Sequence, residues 1–314
     1  MNYSSEGAIN FAFVKSRILK IWHMITRCCV FRGVPRISAE ICRRFLPKNC
    51  VVQSARGYLM AIHAEDYNEA CAICDCLSRH LTNFISNFLL PGDKVVDGGG
   101  NIGQITLLAA SIVGPSGSVV AYEPNPVMAH RLQLQCKLNH FGQVVVRQAA
   151  LGRQSGQVSF YAAENSQLSS LFEFSHRLGP YQEIRCEVVR LDDELAGPDF
   201  QAGQIALVKL DLEGGELEAL KGMDTLLKAD DPPTFMIELN TVCRPDGKQA
   251  VGQIVERFRS LGYQGFIIEP SKVYRGYRPP QLRLLQELPE PLADALFVRP
   301  GSLAYERVSR FVAR

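Results

Sequence analysis

The sequence is short of several things, and each shortage narrows the reading. Its charge balance is nearly even, +2 over 314 residues, which does not suggest nucleic acid as the main partner. No apolar run approaches the ~20 residues a membrane-spanning helix needs. No secretory leader pattern is visible. The 10 cysteines, seven of them before residue 77, are therefore expected as reduced thiols in a cytoplasmic protein. Cys71-Ala-Ile-Cys74-Asp-Cys76 has no second Cys-x-x-Cys partner, and a structural zinc site needs about four ligands. Buried thiols are the expectation there, not a metal. Internal repeats and low-complexity segments are absent, which excludes solenoids and disordered linkers. Between Gly7 and Ala39 there is no acidic residue at all.

That acid-free stretch interleaves Lys15, Arg17, Lys20, Arg27, Arg32 and Arg36 with Phe11, Val14, Ile18, Leu19, Ile21, Trp22 and Ile25. A basic amphipathic helix of this kind packs on the main domain with its basic face in water, or lies on an anionic membrane surface. The first is the plainer expectation; the second would make the protein membrane-peripheral. Residues 50–63 read as one or two strands around Gly57. Residues 67–89 read as one helix, with Leu77, Leu81, Phe84, Ile85 and Phe88 at helical spacing. Residues 1–90 are thus expected as a mainly helical extension with a short strand region, ahead of a second domain over 91–314.

From Asp93 the pattern changes to alternating strands and helices, an α/β array. Val95 and Val96 form a short buried strand, Asp97 ends it, and Gly98, Gly99 and Gly100 make a turn. From Ile102 to Val113 apolar residues recur at helical spacing. Strand, glycine loop and helix N-terminus in that order make a nucleotide-type binding corner. Later strands end in acids as well: Glu123 before Pro124, Asp211, and Glu238. Ligands of an open parallel sheet bind at the carboxyl ends of its strands, so these acids line one crevice. The plain alternative, helix capping, suits Asp211 or Glu216 but not Asp97 or Glu123.

Gly98-x-Gly100-x-x-Gly103 matches a dinucleotide fingerprint, with Glu123 at a ribose-binding distance. Asp97 argues against that ligand, because a carboxylate beside the loop repels a pyrophosphate. S-adenosylmethionine carries a sulfonium and an ammonium and no phosphate, so a row of carboxylates attracts it.

Asp97-Gly-Gly-Gly-Asn-Ile-Gly103-Gln-Ile-Thr106, Glu123-Pro-Asn-Pro126, Leu191-Asp192-Asp193 and Lys209-Leu-Asp211-Leu-Glu213-Gly-Gly-Glu216 resemble the FkbM-type methyltransferases. Ala149-Ala-Leu-Gly152, Ser169-Ser170-Leu171 and Phe235-Met-Ile-Glu238 follow in the same family order. Gly99-Gly100 departs from the family's more frequent Gly-Ala, a change small enough to leave binding intact. The resemblance covers residues 91–240 well and leaves the first 90 uncovered. It implies a Rossmann-like class I methyltransferase with a doubly wound, mostly parallel seven-stranded sheet. The implied reaction moves a methyl group from S-adenosyl-L-methionine to a hydroxyl of a sugar, glycan or polyketide-type metabolite.

On this reading the cosubstrate is held by Asp97, Gly98, Gly99, Asn101, Gly103, Glu123, Pro124 and Asn125, with Asp192 either a further lining residue or a helix cap. Asp97 lies toward the methionine amino end, Glu123 takes the ribose, and Gly99 and Gly103 permit close approach. The base is Asp211 or Glu213, with Glu238 beside them, because clustered carboxylates raise one another's pKa. A divalent ion held by Asp211 and a second acid is the competing arrangement, and His176 on a polar loop is another candidate base. Lys209 neutralises the acids. The acceptor walls are expected in 163–182, 240–248 and 270–285, the last holding Tyr274, Arg275 and Tyr277. Two other readings remain: a nicotinamide-dependent oxidoreductase, and a non-catalytic adenosylmethionine-binding module.

Overall fold

The computed structural model describes residues 12–28, 33–76, 78–163, 169–171, 180–196, 205–269 and 281–312. Leu77, His176, Tyr274, Arg275 and Tyr277 lie outside them. The described residues divide into two compact units that part between Arg79 and His80.

The first unit runs β1 (Ala12–Phe13), α1 (Arg17–Cys28), α2 (Val34–Phe45), β2 (Asn49–Gln53), β3 (Leu59–His63) and α3 (Tyr67–Ile73). β2 and β3 are the antiparallel strands expected around Gly57, with β1 parallel beside β2. The single helix expected over 67–89 is two. Asp66 starts α3 by accepting from the amides of Asn68 and Glu69, and α3 ends at Ile73. Asp75 then takes a left-handed φ of 50°, which no α-helix accommodates. Its buried carboxylate pairs with Arg56 at 2.7 Å and Arg79 at 3.8 Å, holding the break in place. α4 (Arg79–Phe88) follows, burying Phe84, Ile85 and Phe88. Apolar spacing continues across the break, so periodicity alone does not show it.

The second unit continues with β4 (Lys94–Gly98), α5 (Gln104–Val113), β5 (Ser118–Tyr122), α6 (Pro126–Leu138), β6 (Val144–Arg147), β7 (Ala149–Leu151), β8 (Gly156–Ala163) and β9 (Tyr181–Val189). Then come α7 (Leu191–Glu194), β10 (Ile205–Leu210), α8 (Glu216–Lys221), α9 (Asp224–Leu227), β11 (Thr234–Asn240) and α10 (Gly247–Ser260). β12 (Gln264–Ile268), β13 (Leu282–Leu284), β14 (Leu292–Val298) and α11 (Leu303–Ser309) complete it. The main sheet has eight strands in the order β13-β12-β14-β11-β10-β4-β5-β6. β11, β10, β4, β5 and β6 pair in parallel, and the other pairings are antiparallel. The three-residue edge strand β13 makes one strand more than the seven expected. A satellite sheet, β7-β9-β8, stands apart.

Val95, Val96, Leu207, Val208, Phe235 and Ile237 are fully covered, as parallel strands covered on both faces should be. Phe258 of α10 stacks on Phe297 of β14 with centroids 4.1 Å apart. The decisive feature for function is the strand order. The chain winds outward from β4 to β6, then returns to lay β10 on the other side of β4. That reversal opens a crevice at the carboxyl ends of β4 and β10.

Candidate functional site

Register places the chemistry at this switch point. Asp97 of β4 lies opposite Lys209 of β10 and Ala121 of β5. Glu123 follows β5 directly, Asp211 follows β10, and Glu238 sits near the end of β11. The acids that close four separate strands therefore do meet in one region.

Asp97 is buried, more closed than a direct ligand contact requires. Thr106 Oγ1 donates to its Oδ2 at 2.6 Å, and Lys209 Nζ stands 3.2 Å from its Oδ1. Lys209 also donates to the carbonyls of Gly98 and Gly99, at 3.2 and 3.0 Å, and lies 3.5 Å from Asp211 Oδ2. Burial alone would lower its pKa. Asp97 and Asp211 outweigh that and raise it, so the ammonium is held charged as the counter-ion of the cluster.

The glycines answer first to the protein's own packing. Gly99 has φ +79°, and a Cβ there would stand 2.0 Å from the Asp211 carbonyl oxygen. Gly103 has φ +99°, and its Cβ would stand 2.5 Å from Leu132. Both positions need glycine's left-handed freedom to let the β4 loop lie against β10 and α6. Asn101 also adopts a left-handed φ of 46°, which turns its amide toward Glu123.

Glu123 is buried with both oxygens oriented. Asn101 N–H donates to Oε2 and Asn125 N–H to Oε1, each at 2.8 Å. Burial pushes its pKa up to about 7, against the lowering effect of those two amides. Each oxygen keeps a second lone pair for a ligand hydroxyl. Asn125 itself has another task. Its side chain accepts from the amides of Val127 and Met128 and caps α6, with Pro126 at the first helical position. Pro124 links the two.

Asp192, expected to line the site or to cap a helix, is a cap. Its Oδ2 accepts from Thr225 N–H at 2.9 Å and from Arg190 at 2.6 Å, and its Oδ1 from Leu226 N–H at 3.3 Å. It caps α9. A capping carboxylate and a ligand carboxylate look identical in sequence, since both follow a strand and precede a helix.

The loop from Asp211 to Glu216 is folded around its own acids. Glu216 is buried and accepts from Leu212 N–H at 2.7 Å and Gly214 N–H at 3.3 Å. Glu213 has φ +49°, and its carbonyl accepts from Ser170 Oγ at 2.7 Å. Arg244, in the expected acceptor segment 240–248, donates to the Gly214 carbonyl at 3.1 Å. Ser170 and Arg244 thus hold the loop that carries the acids.

Asp211, Glu213 and Glu238 each bring a carboxylate oxygen within 4.8 Å of the others. Among the described residues this is the one group of His, Cys, Asp or Glu spaced to hold a metal ion; Cys42, Cys50, Cys71, Cys74 and Cys76 of the first unit are buried free thiols. Burial, then Asp211 and Glu216, pushes Glu213 up to about 9. Burial, then Asp211, Glu213, Glu216 and Asp294, holds Glu238 well above the ordinary range, and its Oε2 is enclosed without a hydrogen-bond partner. Asp211 is raised by burial, opposed by Lys209 and reinforced by Asp294 and Asp97.

Sequence reasoning missed Asp294 and His80. Asp294 of β14 lies opposite Glu238 in the antiparallel register, and His80 Nε2 of α4 sits 2.7 Å from its Oδ2. The two are 214 residues apart in sequence. Only the long-range pairing of β14 with β11 could have signalled them.

The raised carboxyls imply a pH dependence. Glu123 and Glu216 sit near 7 and Glu213 near 9, against an ordinary 4.5. Over that window the folded protein keeps protons that the unfolded chain has released, so stability is fullest at the acid end and falls as pH rises. Denaturation midpoints at pH 5.5, 7 and 8.5 should decline in that order, and Glu213→Gln should flatten the upper step. A midpoint that climbs from 7 to 8.5 would contradict the assignment.

The donor set suits a cationic, phosphate-free ligand: carboxylates from four strand ends, with the one ammonium among them already spent on Asp97 and Asp211. Comparison with known proteins agrees. The model of the methyltransferase FkbM domain matches residues 97–264, more than half of the chain. "Methyltransferase 1" of Beauveria bassiana (strain ARSEF 2860) is 28% identical over 151 residues, 43% of this chain and 60% of that protein. The chain thus spans about three fifths of the length of that relative. "31-O-demethyl-FK506 methyltransferase FkbM" of Streptomyces tacrolimicus is 29% identical over 215 residues, 60% of this chain and 78% of that one. Among solved structures, the O-methyltransferase TomG from Streptomyces achromogenes in complex with SAM aligns at 13% identity and a TM-score of 0.44, covering 91% of this chain and 100% of that chain.

Proposed function

Because this chain belongs to the FkbM methyltransferase family, we propose that it transfers a methyl group from S-adenosyl-L-methionine to a hydroxyl oxygen of a sugar, glycan or polyketide-type metabolite. The observation that carries this reading is the crevice of carboxylates at the β4/β10 switch point, with its single ammonium internally neutralised. An anionic pyrophosphate would find no free ammonium among the described residues of the crevice, since Lys209 is paired with Asp97 and Asp211. One relative is named for acting on an oxygen of FK506, which supports oxygen as the acceptor atom.

The bound cosubstrate supplies an electrophilic methyl group. Glu123 accepts hydrogen bonds from its ribose hydroxyls, oriented by the amides of Asn101 and Asn125. Asp97 acts through Lys209 and Thr106, setting the loop and the local negative potential. The acceptor hydroxyl is aligned at the mouth beside the half-open Asp211 and gives up its proton there. Ser170 and Arg244 keep the Asp211–Glu216 loop in register for that transfer. The enzyme works in the cytoplasm.

The deciding measurement is calorimetry with adenosylhomocysteine, adenosylmethionine and NAD, followed by transfer of labelled methyl to a panel of hydroxylated acceptors. Adenosylhomocysteine is expected to bind and NAD not. Glu123→Ala should weaken adenosylhomocysteine more than about tenfold, the loss of two charge-assisted hydrogen bonds. NAD binding in place of the adenosyl ligands would restore the oxidoreductase reading, and binding without turnover on any acceptor would favour the non-catalytic module.

A further inference from the structure

α1 is apolar on two sides. Leu19, Trp22, His23 and Thr26 form a narrow buried stripe, with Trp22 Nε1 donating to Ser38 Oγ of α2 at 2.8 Å. That stripe accounts for the helix's packing within its unit. The opposite arc carries Ile18, Ile21, Met24 and Ile25, and all four are exposed, Ile21 at 58% and Met24 at 66%. At 100° per residue these four fall within about a third of the helix circumference. Phe13, just ahead of the helix, is also exposed. The basic face expected in water is exposed, and large apolar side chains share it with the cations.

The charge around that arc has one sign. Lys15, Arg17 and Lys20 are exposed beside it, and the chain carries no acid from Gly7 to Ala39. A protein interface of this kind would need a negative partner surface that is also apolar in patches. An anionic lipid leaflet supplies both at once, phosphate headgroups for the cations and acyl boundary for the isoleucines. No helix of the described residues is long and apolar enough to cross a membrane. The helix lies along a surface; it does not span.

We propose that the Ile18–Ile21–Met24–Ile25 face of α1, flanked by Lys15, Arg17 and Lys20, docks the protein on an anionic membrane surface. Docking is reversible and salt-dependent, because one helix buries modest apolar area and the cations act through screened attraction. It does not rest on the methyltransferase reading, since none of these residues belongs to the crevice.

Co-sedimentation of the full chain tests it, with vesicles of phosphatidylcholine alone and of phosphatidylcholine with phosphatidylglycerol. Binding to the anionic vesicles is expected to be at least about tenfold tighter than to the neutral ones and to weaken as salt is raised. The double variant Ile21→Asp, Met24→Asp should lose about tenfold or more, and Lys20→Glu should lose a smaller, salt-sensitive part. Val145→Asp, at an exposed apolar position of β6, should bind like wild type. Far-ultraviolet circular dichroism and the thermal midpoint report folding of every variant. Equal binding to both vesicle types would overturn the proposal, as would wild-type binding by the double variant. So would a vesicle-free dimer in sedimentation that the double variant abolishes, which would assign the face to a second copy of the chain.

Discussion

Asp211→Asn is expected to lower kcat by about 10²–10⁴-fold, the usual range for loss of a positioned acid or base, while adenosylhomocysteine affinity stays within about threefold. Asp211 has an open side, its side chain 40% exposed, and it follows the strand end that faces the crevice. Glu238 is a poorer base: its Oε2 is enclosed without a hydrogen-bond partner, and its surroundings hold its pKa well above the ordinary carboxyl range. Burial, then Asp294 and Asp97, keep the pKa of Asp211 raised against the pull of Lys209. Asp294→Asn should therefore shift the pH at which kcat rises more than it lowers the plateau. A second arrangement uses the same atoms. Three carboxylate oxygens within 4.8 Å could hold a divalent cation that acidifies the acceptor hydroxyl. The two are separated by repeating the assay with chelator and then with added magnesium. Loss and recovery of activity would favour the cation; indifference to both, with the Asp211→Asn loss intact, favours the base. If Asp211→Asn keeps kcat within about threefold of wild type, neither arrangement stands.

Lys209→Met is expected to lower the apparent melting temperature by about 6–20 °C. Removing one partner of a buried ion pair leaves an uncompensated charge and costs about 3–5 kcal/mol, and a domain of about 150–250 residues shifts roughly 2–4 °C per kcal/mol. Lys209 is buried and touches Asp97, Asp211 and the carbonyls of Gly98 and Gly99, so the loss falls on the strand pair that forms the crevice. Asp97→Asn on top of Lys209→Met should recover most of it, because the orphaned charge is then gone and Thr106 can still pair with the amide. Differential scanning calorimetry of the two single variants and the double completes a coupling cycle. Additive single effects would mean that Asp97 and Lys209 do not depend on each other.

The parallel strands and the acids that end them were readable because covered strands show as unbroken apolar runs and a carboxylate at the end of one is conspicuous. Asp97, Glu123, Asp211 and Glu238 all come to the crevice by that logic. Asp192 was open between a lining residue and a helix cap, and Asn125 came in with the family motif; the side chains of both cap helices. A short acid or amide after a strand serves a ligand or the next helix N-terminus with equal ease, and only the positions of the amides of Val127 and Thr225 tell which. The break at Asp75 was hidden for a related reason. Its cause is an ion pair with Arg56 that is remote in sequence, while the apolar spacing on either side stays helical.

What the sequence determined by itself was the family and which acids close its strands. Local order along the chain, strand then acid then glycine loop then helix, carries that information. What the tertiary structure alone decided was the state of each acid. Asp97 is closed by Lys209, Glu216 is consumed in bracing its own loop, Glu238 is enclosed, and Asp294 with His80 arrives from strand and helix far away in the chain. Burial and pairing set a carboxyl group's charge, and both depend on which residues the sheet brings side by side across hundreds of positions.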